Sequence, residues 1–273
     1  MLMARWNNLE SNDGGVSESI GFMLIFTIVI AGIALVTLYG YPLLLQQQVG
    51  AEEKIMEKNM IVLQNDFKSM AYKTVPYKET SLKIGGGSLT VYNESDSLSS
   101  FTIYNQSDPT HPIVNNFRPG ELLYESVSAQ TNISLQNGAV VLQPRIRQGS
   151  TDGSVMLADP RWFYDDRTGT MVINLINITR TDLMAKEGIG TVRMQLGNTT
   201  YRYESPVTSE VRVTYNPSPG QDYSVAWDNY FTKIGMEHVG TPIPGSGTAI
   251  TYTLPQPLNT LVIKTYEVHI EAI

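Results

Sequence analysis

From Ile20 to Leu45 every position is apolar or small, interrupted only by Gly21, Thr27, Gly32, Thr37, Gly40 and Pro42, and no charged residue occurs between Glu18 and Glu52. Such a run exceeds the ~18 residues that identify a membrane span and, at ~1.5 Å per residue, covers more than a ~30 Å hydrocarbon core. A buried helix of a soluble protein rarely stays apolar all round for so many turns. A removable secretory signal has a shorter apolar region of about 7–15 residues and a small-residue exit, which this segment lacks. Beyond Gly50 the period changes without a break. Met56, Met60, Leu63, Phe67 and Met70 recur at intervals of four and three, making one narrow apolar stripe on a helix otherwise covered with polar and charged residues. Residues 17–72 therefore read as one long helix, half in lipid and half in water. The stripe either docks on the chain's own globular part, the favoured reading, or pairs with another helix. Pro42 removes one backbone donor and predicts a kink.

After Tyr72 the helical period gives way to short β-type runs punctuated by Gly, Asn and Pro. "NISLQNGAVVLQ" carries Asn137-Gly138, a strong hairpin signal because both residues tolerate positive φ. "SLKIGGGSLTVY" reads as two runs around Gly85–Gly87, and "TVRMQLGNTTYRYE" repeats the scheme around Gly197-Asn198. "TMVINLINI" and "TLVIKTYEVHIEAI" predict longer strands, and "DYSVAWDNYFTKI" predicts a short helix near 222–234 with Tyr223, Trp227, Tyr230, Phe231 and Ile234 at helical spacing. The fold class expected is α+β. A long N-terminal helix (membrane-spanning over about 20–45, then amphipathic) precedes a mainly antiparallel β head over 73–273, built as a sandwich or stacked sheets.

Composition narrows the function. Nineteen basic against 26 acidic residues give a net charge of −7, and no Lys/Arg cluster breaks that balance, so the electrostatic term that dominates nucleic-acid affinity is missing. Without cysteines there are no disulfides, thiolate metal sites or Cys nucleophile. The three histidines, His111, His238 and His269, stand in neither metal-ligand spacing nor an evident pairing with a nucleophile. Gly85–Ser88 and Gly188–Arg193 lack the rest of a phosphate loop or dinucleotide fingerprint and read as turns. Asp159, Asp165 and Asp166 offer oxygens suited to calcium, though in no defined loop spacing. We expect no catalytic residue, cofactor or metal.

The short leader 1–15 ending in Gly14-Gly15, followed by "VSESIG" and an apolar helix that runs on into an amphipathic one, resembles archaeal type IV pilin-like proteins. The stretch "GSVMLADPRWFYDDRTGTMVINLINI" together with the later short helix also resembles an uncharacterised family of archaeal pilin-like surface proteins. The resemblance implies that a membrane-embedded leader (prepilin-type) peptidase cuts the Gly15–Val16 bond, that the apolar helix stays on the mature chain, and that copies or related subunits assemble into a filament. It implies a cytoplasmic N-terminus and an extracellular head on a single-pass membrane protein; the leader, with Arg5 against Glu10 and Asp13, does not set that orientation by charge. Glu18 becomes the third mature residue. Either the helix macrodipole favours it at headgroup level, or it contacts a neighbouring subunit's terminal amine, as the resemblance to bacterial pilins implies. Five N-x-[ST] sequons, at Asn93, Asn105, Asn132, Asn177 and Asn198, all fall in the β region and are candidate glycosylation sites. The alternatives are a single-pass anchored surface protein that never polymerises, and an extracellular hydrolase or carbohydrate-binding enzyme resting on the head's aromatics and aspartates.

Overall fold

The computed structural model describes residues 13–97, 99–127, 129–144, 153–204, 206–207, 209–241, 244–255 and 258–273. Two compact units divide the chain, residues 1–50 and 51–273.

In the first unit, helix α1 (Asp13–Leu35) is followed by a π-helical turn over Val36–Gly40, after which α2 (Tyr41–Lys73) begins. The Tyr41 amide donates to the carbonyl of Val36, five residues back. Pro42, next in line, has no N–H to give to Leu38 and its ring crowds that carbonyl. The wider π turn is the local solution where the sequence predicts a kink.

The second unit starts inside α2. Met56, Met60, Leu63, Phe67 and Met70 are all fully buried, so the stripe docks on the head of the same chain. It meets Leu89, Val91, Tyr124, Ile133, Val140 and Ile176 across one hydrophobic cluster. Gln64 lies within this apolar face yet is satisfied: its amide donates to the carbonyls of Gly138 (2.7 Å) and Asp159 (2.9 Å). A buried amide with both bonds made fixes the helix's register on the head.

The head is built of two sheets. The larger contains β1 (Tyr77–Tyr92), β4 (Glu121–Ser126), β5 (Thr131–Gln136), β6 (Ala139–Pro144), β7 (Val155–Ala158), β8 (Phe163–Asp165), β9 (Thr170–Arg180), β10 (Met184–Glu204) and β14 (Thr260–Ala272), in the order β7-β6-β5-β4-β1-β10-β14-β9-β8. The smaller contains β2 (Ser100–Asn105), β3 (Val114–Phe117), β11 (Val211–Asn216), β12 (Glu237–His238) and β13 (Ile250–Thr253), in the order β12-β13-β11-β2-β3. Among the described residues all pairs are antiparallel except β9 with β14, which run parallel from Thr170↔Thr260 to Arg180↔Ile270. A parallel pair needs a long crossover, supplied here by everything between Arg180 and Thr260.

Alternation along the strands feeds two cores. On β9 and β14, Met171, Ile173, Leu175, Leu261 and Ile263 join the core shared with the small sheet, while Ile176, Ile178, Tyr266, Val268 and Ile270 join the core under α2. Helix α3 (Ser224–Lys233) completes the first of these: Trp227 lies 4.8 Å from Phe101 and Phe231 4.8 Å from Tyr252 between ring centroids, and both are fully buried. Its aromatic face is core packing and not a ligand-stacking box.

Three sequence expectations are overturned, the first at Gly188–Arg193, read as a turn: these residues lie within β10, where Gly188 takes a φ of 78° opposite Ile84 and Arg193 pairs with Glu79. Gly85–Gly87 does not separate paired strands: β1 passes straight through, with a register shift between Ile84 and Leu89 where it adds β4 as a second partner. A Cβ on Gly87 would lie 2.2 Å from the carbonyl oxygen of Glu125, so only glycine admits that close approach. Gly197-Asn198 likewise forms no turn. Neither takes positive φ, and β10 continues through them with a register shift against β14. Glycine in a strand marks a bulge as readily as a turn. At Asn137-Gly138 the hairpin forms as expected, with φ of 46° and 70° and Gln136 opposite Ala139.

Candidate functional site

The most conspicuous chemical surface is that of α1 and the start of α2. Every residue from Ile20 to Leu45 is exposed except Gly40, which is half-exposed. Eighteen large apolar side chains stand free between Ile20 and Leu45. Each forgoes about 1.5–3 kcal/mol of burial, tens of kcal/mol in all, so water is not their working solvent. The two threonine hydroxyls in the run are satisfied within the helix: Thr27 donates to the carbonyl of Met23 at 2.7 Å and Thr37 to that of Ile33 at 2.9 Å. Such back-bonding removes the cost of carrying a hydroxyl into hydrocarbon. Gly21 and Gly32 meet nothing within 4 Å of where a Cβ would stand, which leaves flat places where another helix can approach. This is one helix long and apolar enough to cross a membrane.

The Gly15–Val16 bond lies in the first turn of α1, while residues 1–12 of the leader, with Arg5 and Glu10, fall outside the described residues. Glu18 is exposed near the start of α1, where its carboxylate favours the helix's positive end.

The sequons separate by burial. Asn198 is exposed on β10; Asn93, Asn105 and Asn177 are half-buried; Asn132 on β5 is 6% exposed. Asn177 donates to Glu94 at 3.2 Å, and the Oδ1 of Asn93 accepts the amides of Ser95 and Asp96 in a tight turn.

Among the described residues the histidines and the clustered aspartates do not converge. His111 bonds Asp108 at 3.0 Å in an exposed loop, His238 sits against Tyr252 on β12, and His269 on β14 faces Thr179 at 3.1 Å. Asp159 accepts from Lys233, and Asp165 closes its own turn through the Arg167 amide and the Thr168 hydroxyl. Among the described residues no set of three His, Asp or Glu side chains is placed to hold a metal ion.

A carboxyl the sequence does not single out is more distinctive. Glu121, at the head of β4, is 5% exposed and lines a cleft of about 500 Å³ with Tyr92, Asp96, Glu125 and Asn132. It accepts from Ser134 Oγ at 2.6 Å and from the Tyr223 hydroxyl at 3.5 Å, joining β4 and β5 to the entry of α3. Burial pushes its pKa up to about 7, the two hydroxyl donors pull it down, and Glu125 raises it further. In "GELLYESV" it looks like an ordinary strand-edge acid; its burial, and its bond from Tyr223 in a distant segment, come only with the fold.

Compared with known proteins, residues 15–271 match a family of unknown function, DUF7289. No curated protein matches the chain, and no solved structure does.

Proposed function

The chain belongs to the DUF7289 family across nearly its whole length, and we propose that it is a pilin-like structural subunit of an archaeal cell-surface filament. The observation that carries this reading is the combination of an apolar helix left exposed over Ile20–Leu45 with a continuation of α2 whose apolar stripe is fully buried on the β head. The head grips its stem by five large side chains and leaves the rest of the stem for other company. In the membrane that company is lipid. After assembly it is the same segment of neighbouring copies, with close approach at Gly21 and Gly32 supplying packing that lipid does not.

In this reading the leader peptidase cuts at Gly15–Val16, Glu18 stands at the new N-terminus for contact with a neighbour, and the head lies outside the cell. The exposed sequon at Asn198 is then the best placed of the five to carry a glycan. The test is made on cells that produce the protein: mass spectrometry of the native N-terminus, and electron microscopy of sheared surface appendages with peptide identification of their subunits. We expect a mature chain starting at Val16 and present in the appendages. Recovery only from detergent-solubilised membranes, with the start retained, would instead make it a single-pass anchored surface protein that does not polymerise.

A further inference from the structure

On the head, the last turns of α2 and the segment ahead of β8 line an open cavity of about 480 Å³. Asn65, Lys68, Ser69, Tyr72 and Lys73 line it from one face of the helix, at the three- and four-residue spacing that stacks side chains, and Arg161 lines it from the other side with its guanidinium 4.7 Å from the centre of the Tyr72 ring. Lys73 lies in the final turn of α2, where a cation answers the helix's own carbonyls. Lys68 and Arg161 have no such explanation. Among the described residues neither side chain makes an ion pair or a hydrogen bond, and the Arg161 guanidinium rests over the Tyr72 ring. Asp159, the one carboxylate in the lining, is already held by Lys233 at 2.5 Å. Lys68 is half-buried, and burial lowers its pKa; Asp159 opposes that shift and Arg161 reinforces it. An acidic protein of net charge −7 thus gathers unpaired cations around one partly desolvated hollow.

We propose that this cavity binds a small polyhydroxylated anion, with a hexuronate, free or carried in an acidic polysaccharide, as the ligand class. Lys68 and the planar fork of Arg161 suit a carboxylate. The amide of Asn65 and the hydroxyls of Ser69 and Tyr72 both donate and accept, as sugar hydroxyls require. The volume falls within the range of small-ligand pockets. The proposal is independent of whether the chain polymerises.

The test uses the full chain in micelles of an uncharged detergent, titrated calorimetrically at low salt with sodium glucuronate, glucose and inorganic phosphate. We expect saturable glucuronate binding that weakens as salt is raised. Losing one charge-assisted contact in Lys68→Gln or Arg161→Gln should weaken it about tenfold or more. Lys68→Arg, which keeps the charge, should bind more tightly than Lys68→Gln, and Lys58→Gln, on an exposed position of α2, should bind like the parent. Glucose should bind at least about tenfold more weakly than glucuronate. Matching thermal melts show that each variant is folded. Absence of saturable glucuronate binding, or binding unchanged in both Lys68→Gln and Arg161→Gln, would overturn the site. Phosphate binding as tight as glucuronate would overturn the sugar-acid assignment. Binding of a uronate oligosaccharide tighter than the monosaccharide would place the natural source in a polymer, and equal binding would place it in the free sugar.

Discussion

At the scale of single residues, burial decides what chemistry a side chain retains. Glu121 has an ordinary carboxyl in the unfolded chain, near 4.5, and one near 7 in the fold. A raised carboxyl pKa means that folding favours the protonated form. Its contribution to stability is therefore complete below about pH 4.5 and declines as pH rises through about 7. Glu121→Gln keeps the shape without the charge, so it should equal the parent near pH 4.5 and exceed it at pH 8 by about 3 kcal/mol. Urea unfolding at the two pH values checks the difference. Gly87 makes a steric counterpart. With a Cβ 2.2 Å from the Glu125 carbonyl oxygen, Gly87→Ala must push β1 and β4 apart, and a loss of about 2–4 kcal/mol is expected by the same unfolding measurement.

At the scale of elements, α2 is one continuous helix with two kinds of neighbour. Its first residues, through Leu45, carry exposed apolar side chains, while its later turns present one buried stripe and one solvated face. Phe67→Ala should therefore cost about 3–5 kcal/mol, whereas Val62→Ala, at a position 49% exposed on the same helix, should fall within about 0.5 kcal/mol of the parent. Comparable losses at both would mean that the stripe is not what holds helix to head. The stripe was legible because a helix repeats every 3.6 residues and its apolar positions therefore declare a face. The strand joints were less so. Gly85–Gly87 and Gly197-Asn198 carry turn chemistry, yet each lies inside one long strand, because the residue types that permit a reversal also permit a bulge and only the flanking pairings choose between them.

On the scale of the whole molecule, the exposed helix makes a prediction about solvent. A lysine placed mid-run, as in Ile30→Lys, costs about 2.5–3.5 kcal/mol on insertion into a bilayer and should reduce both membrane retention and any recovery in filaments, measured by fractionation of cells. The same substitution should leave the head's unfolding unchanged, since Ile30 belongs to the other compact unit.

What the sequence by itself determined is whatever depends on neighbours along the chain. The charge-free run, its change to an amphipathic period past Gly50, the Asn137-Gly138 hairpin and the aromatic face of α3 all follow from local spacing and local backbone preference. The tertiary structure alone decided the parallel pairing of β9 with β14, the burial of Glu121 beneath Tyr223, the unequal exposure of the five sequons, and the meeting of Lys68 with Arg161. Each of these joins segments far apart in the chain. Pairing direction and desolvation are set by which distant surfaces come together, and no local pattern records that choice.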